Sequence, residues 1–150
     1  MCHQTSLRKN SAVFQMSLSK VAPTLVQDKV GRGFWGPPIW ATLHTLAAAY
    51  TPDQANTFKQ YVASLPILLP CEVCRAHLSQ NLKKYPLENY LSDRNSLFFW
   101  TYLLHDAVNQ QITTERPNEP PKRSPDYETI KTYYFKNVGD ECKACTAKKQ

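Results

Sequence analysis

Residues 97–112 read LFFWTYLLHDAVNQQI. The run is too short to span a bilayer, and its apolar residues do not alternate as a half-buried strand would. Leu97, Trp100, Leu104 and Val108 instead fall within a narrow arc at the angular step of an α-helix. Ser92 or Asp93 can cap this helix, which the periodicity carries from Arg94 to Ile112.

The same period appears upstream. Trp40, Leu43, Ala47 and Tyr50 mark a helix over residues 37–50, with Pro37 and Pro38 suited to its first turn. Thr51-Pro52-Asp53 reads as the cap of a second helix carrying Phe58, Tyr61, Val62 and Leu65, which Pro66 and Pro70 disrupt near its end. Pro70 can open a third helix from about Cys71 to Tyr85, and a short fifth follows over residues 126–136. A polar stretch, TTERPNEPPKRSP, interrupts the pattern at 113–125. No segment alternates convincingly over strand length. The expected fold is all-α: a four-helix bundle with a short fifth helix, joined by short connections. The expected layout is a flexible leader at 1–30, a helical domain at 31–136 and a tail at 137–150.

With 150 residues, 42% hydrophobic and 20% charged, the chain is long enough to bury a core. Net charge is +6, but the basic residues are scattered and form no block. That pattern predicts a solvated surface and no nucleic-acid partner; no apolar run predicts a membrane span. Residues 1–27 carry Arg8, Lys9 and Lys20 without an acid, a composition shared by mitochondrial presequences and disordered leaders. No apolar region follows that basic start, so no secretory signal is expected.

Four of the five cysteines form two Cys-x-x-Cys units, CEVC at 71–74 and CKAC at 142–145. Four thiolates could hold zinc, but Cys74 and Cys142 stand much further apart than ribbon spacings allow. A thioredoxin-type motif needs a βαβ context that this chain does not offer. A redox pair at a helix start remains, where the helix N-terminus favours the thiolate and Arg75 and His77 can add positive potential. These residues alone name no cofactor.

Three stretches in order, WGPPIWATLHTLAAAY at 35–50, LPCEVCRAHL at 69–78 and LFFWTYLLHDAVNQQI at 97–112, resemble the Erv/ALR family of FAD-linked sulfhydryl oxidases. That family's motifs read W-x-x-x-H-x-x-A, C-x-x-C and H-N-x-V-N, and the likeness is greatest to the versions carried by large cytoplasmic DNA viruses. The resemblance implies a helical bundle that holds FAD in its mouth, usually as a homodimer. It places Trp40 and His44 against FAD, with Gly36 and Tyr50 nearby, and adds His77, His105, Val108, Asn109 and the flavin-proximal Cys74. Trp100 would wall the pocket or fill the core. Two departures stand out: Asp106 replaces the family's asparagine, and Arg116 is the candidate substitute for a lysine that is absent.

By the same resemblance, a substrate dithiol attacks the Cys71–Cys74 disulfide at Cys71, and electrons pass to FAD and then to O₂, giving H₂O₂. Cys142 and Cys145 would shuttle electrons from the tail, which an extended chain from Arg116 would allow to reach up to about 90 Å; Cys2 is left unpaired. The expected partners are protein dithiols, among them viral structural or redox-relay proteins. The expected locations are host cytoplasm and virion, with the mitochondrial intermembrane space as the alternative. The competing functions are a flavin-free disulfide carrier and a zinc-bound interaction module.

Overall fold

The computed structural model describes residues 31–139. Cys2, Cys142 and Cys145, and with them the leader and the shuttle pair, lie outside the described residues. The described residues divide into two units between Pro38 and Ile39.

Helix α1 spans Arg32–Ala48. It begins five residues before the expected start, so Pro37 and Pro38 lie inside it rather than in its first turn. Gly31 supplies the entry: its φ of 63° is left-handed, and its carbonyl accepts from the Phe34 amide at 3.0 Å. The prolines remove two amide donors from the ladder, and the helix continues past them on its remaining amides.

In the second unit, a 3₁₀ turn at Pro52–Gln54 leads into α2, Ala55–Leu68. The Thr51 amide donates to Gln54 Oε1 at 3.1 Å, half of a capping box. Pro66 does not end α2. The Leu69 amide still reaches the Leu65 carbonyl at 3.0 Å, so the last turn closes around the missing donor. Phe58, Val62 and Leu65 form its buried face.

Helix α3, Glu72–Lys84, packs against α2 and against α4, Arg94–Glu115. Cys71 is its N-cap, and Lys83 and Lys84 in its last turn face the negative end of the helix dipole. A 3₁₀ turn at Leu87–Tyr90 precedes α4. Asp93 caps α4, accepting from the Asn95 amide at 2.8 Å and the Ser96 amide at 3.1 Å. Its carboxyl is lowered to about 2, chiefly by the Ser96 amide.

The core gathers on α4. Leu97, Phe98, Trp100, Thr101 and Leu104 are each 0% exposed, and Leu43 and Ala47 of α1 are buried as well, at 1% and 0%. Burying each large apolar side chain contributes about 1.5–3 kcal/mol. Helix α5, Tyr127–Val138, lays Tyr127, Tyr134 and Phe135 around Phe98, with ring centroids 6.4, 5.7 and 5.3 Å away.

The polar connection between α4 and α5 is fastened along α4. Tyr102 donates to the Pro125 carbonyl, Asn109 to Ser124, and the Lys122 amide to Thr113 Oγ1, all at 2.9–3.0 Å. Residues 116–138 are therefore not the extended tether that a 90 Å reach assumed. The described residues are helical and carry no strand, as the periodicity predicts.

Candidate active site: a helix-start disulfide and a histidine ladder

Pro70 ends the chain's course out of α2, and the backbone at Cys71 is extended (φ −117°, ψ 118°) before α3 begins. That geometry brings Cys71 and Cys74 to a Cα–Cα distance of 5.1 Å, joined as a disulfide. Both residues are half-buried. The Cys74 amide donates to Cys71 Sγ at 3.2 Å, so one of the free amides of the first turn of α3 faces that sulfur. Arg75 Nη1 donates to the Leu69 carbonyl at 2.7 Å and ties the segment leading into α3 to that helix. Ile67, Leu68 and Val73, within a few residues of the pair, are 75%, 71% and 54% exposed.

The second group joins α1 to α4. Trp40 and His44 stand four residues apart on α1, and Thr101, His105 and Asn109 repeat that step on α4. His44 Nδ1 lies 2.8 Å from Thr101 Oγ1, and His44 Nε2 lies 3.1 Å from His105 Nδ1. Trp40 stacks on His105, with centroids 4.1 Å apart and planes within 5°. Phe98 and Tyr134 close over His44 at 5.5 and 5.2 Å. His44, 3% exposed, is pushed down to about 3, first by burial and then by the neighbouring His105. His105 is pushed down to about 4 by burial, with Asp106 opposing. Both imidazoles are neutral at pH 7.

The remaining predicted residues divide. His77 Nε2 pairs with Glu115 Oε1 at 3.1 Å. Asn109 bonds Ser124, and Val108 is half-buried beside it. Tyr50 is buried at the far end of α1, donating to the Leu91 carbonyl and meeting Phe58 edge-on, away from the ladder's contacts. Trp100 is a core residue: it is 0% exposed, and its indole N–H goes to the Tyr85 carbonyl at 2.9 Å. Gly36 lies on α1 in the first unit, where an added Cβ would meet nothing within 4 Å, so packing does not require glycine there. Asp106 accepts from Gln110, and Arg116 pairs with Glu119 at 3.0 Å. A groove of about 470 Å³ between α3 and α4, bordered by Gln80, Asn81, Lys84, Gln110 and Gln111, contains none of the predicted residues.

Sequence reasoning missed Thr101, Tyr134 and Ser124 as neighbours of these groups. Thr101 had a signal, since it precedes His105 by one helical repeat. Tyr134 and Ser124 had none.

The family model described as Erv1 / Alr matches residues 37–134, the region that contains both groups. The chain belongs to the Erv1/Alr family. A protein of invertebrate iridescent virus 3 is 32% identical over 82 residues, covering 52% of this chain and 55% of its own. The FAD-linked sulfhydryl oxidase of African swine fever virus (isolate Tick/Malawi/Lil 20-1/1983) is 33% identical over 82 residues, 52% of this chain and 67% of its own. The FAD-linked sulfhydryl oxidase ERV1 of Oryza sativa subsp. japonica is 30% identical over 98 residues, 63% of this chain and 46% of its own. The chain thus spans about half to two thirds of the length of these Erv1/Alr relatives. No solved structure matches the chain at a significant level.

Proposed function

We propose that this chain is an FAD-dependent thiol oxidase that forms disulfide bonds in protein substrates. The observation that carries the reading is the Cys71–Cys74 disulfide at the start of α3, with the Cys74 amide on Cys71 Sγ. Membership of the Erv1/Alr family and the names of the viral and plant relatives support it.

A substrate thiolate attacks Cys71 Sγ; the Cys71–Cys74 bond breaks and Cys74 leaves as thiolate. The substrate's second thiol then attacks the mixed disulfide and expels Cys71. Leaving-group ability favours that step, because the Cys74 amide and the start of α3 stabilise a thiolate at Cys71. The substrate has lost two electrons and two protons, and the Cys71–Cys74 pair has gained them. Ile67, Leu68 and Val73 offer apolar surface beside the pair for a polypeptide bearing those thiols.

The residues present fit FAD. Trp40 and His105 offer parallel flat rings, two neutral histidines add no charge, and Cys74 belongs to the disulfide that must be reoxidised. Trp40, His44, His105, Val108 and Asn109 would hold the group, with His77 and Cys74 on the α3 side. When bound, FAD supplies the passage of two electrons from the reduced cysteine pair to O₂, giving H₂O₂. Tyr50 and Trp100 act from the core by holding α1 and α4 in place.

The proposal extends to a homodimer with Cys142–Cys145 as the shuttle pair on the tail, and to protein dithiols such as viral structural or redox-relay proteins as substrates. It places the activity in host cytoplasm or virion; the intermembrane space is the alternative.

The test is the visible spectrum of the purified protein, repeated without oxygen after addition of a dithiol. A flavin band that bleaches with dithiol and returns with air, together with peroxide, is expected. A colourless protein that does not take up added FAD overturns the reading. In that case its metal content separates a disulfide carrier from a zinc module.

A further inference from the structure

The ladder between α1 and α4 has a direction, and Thr101 sets it. Thr101 Oγ1 lies 2.7 Å from the Phe98 carbonyl and 2.8 Å from His44 Nδ1. A carbonyl can only accept, so the single hydroxyl proton lies toward Phe98 and the hydroxyl oxygen accepts from His44. His44 Nδ1 therefore carries a proton. Because burial keeps this imidazole neutral, His44 Nε2 is bare.

His44 Nε2 lies 3.1 Å from His105 Nδ1, and two bare nitrogens would repel at that distance. His105 Nδ1 thus carries a proton as well. His105 is neutral too, which leaves its Nε2 as a lone-pair acceptor. Among the described residues no hydrogen bond is made to that atom, and every fully buried side-chain nitrogen or oxygen has a partner. The bare nitrogen is consequently not sealed in the core, and its ring plane is held by the stacked Trp40.

We propose that Thr101 is a positioning residue: it fixes the tautomers of His44 and His105 so that His105 Nε2 presents a hydrogen-bond acceptor to the cofactor. The assignment of FAD as that cofactor rests on the function proposed above. The group His105 receives is then a donor, an amino group or a sugar hydroxyl, and not a phosphate or carbonyl oxygen, whose lone pairs would face its own. A reversed ladder would need Thr101 to donate to His44, setting two acceptor oxygens 2.7 Å apart inside the core.

The tautomers are read directly by two-bond ¹H–¹⁵N correlation of the histidine rings in the flavin-free protein. Protonated Nδ1 and bare Nε2 on both His44 and His105 are expected. A protonated Nε2 on His105 overturns the proposal, whatever any variant does. Thr101→Val keeps the shape and removes the acceptor. It is expected to change the histidine pattern and raise the FAD dissociation constant about ten- to a hundredfold, the scale of one buried polar group left unpaired. Thr101→Ser restores the hydroxyl and is expected to restore both readouts, which a purely steric role for the threonine methyl would not. A valine variant with an unchanged histidine pattern and unchanged FAD affinity overturns the proposal. If that variant does not fold, the parent spectrum still decides. A parent protein that binds no FAD overturns the proposed function, while its histidine spectrum decides the direction of the ladder.

Discussion

Cys71 and Cys74 are half-buried and lie within one turn of chain, whereas His44 and Thr101 are 3% and 0% exposed and come from helices far apart in sequence. The first group is held by its own backbone: a proline, an extended residue and a helix start suffice to close the disulfide and to aim an amide at Cys71. The second is held by packing, with Phe98, Tyr134 and Trp40 enclosing two imidazoles that have few alternative partners. The redox chemistry proposed for this chain, on protein thiols, needs access, and a local motif provides it. Hydrogen-bond polarity needs exclusion of water, and only a core provides that.

The contrast can be broken most sharply at the disulfide. Cys71→Ser is expected to lower dithiol oxidation by about a thousandfold or more, the scale for removing a covalent participant, while leaving the melting temperature little changed. Oxygen uptake and thermal melting of the same sample check both halves. If the variant keeps the parent rate, the mechanism is lost.

At the ladder the expected loss is one of stability. Phe98→Ala should cost about 3–5 kcal/mol in urea unfolding, because Phe98 is fully buried and carries the aromatic contacts of α5.

A pH series separates the groups without mutation. The folded values of His44 and His105, about 3 and about 4, lie below the ordinary 6.5. As pH falls below about 6.5 the unfolded chain takes up protons that the folded ladder refuses. Stability present above that value is therefore expected to fall, by on the order of a few kcal/mol, as pH approaches 4 and then 3. Melting temperature measured from pH 8 to 4 checks this, and a flat profile would mean that the ladder is solvated.

The smallest effect is expected at Arg116→Ala. This removes an exposed pair with Glu119 and should cost less than about 1 kcal/mol in the same unfolding measurement.

Much of the fold was legible. Leu97, Trp100 and Leu104 recur at the helical period because one face of α4 meets the core, and periodicity reads such a face directly. The starts and ends of helices were less legible. Pro37 and Pro38 argue for a first turn, yet they lie inside α1, because a helix continues past a missing donor when its other amides bond. Pro66 lies inside α2 for the same reason. The polar 113–125 stretch looked like a mere interruption. Its bonds from Pro125, Ser124 and Lys122 to α4 depend on side chains that α4 turns outward.

Helical class, the paired Cys71 and Cys74 and the candidate histidines could all be read along the chain. These depend on spacing within one element or on motifs in order along the chain. It takes the packed helices to show that Trp100 and Tyr50 are buried, that Thr101 meets His44, and that two histidines share one hydrogen bond. The physical reason is that a residue's role on α1 or α4 depends on the atoms the other helix brings to it. A one-dimensional pattern specifies which face is buried, but not which partner lies opposite.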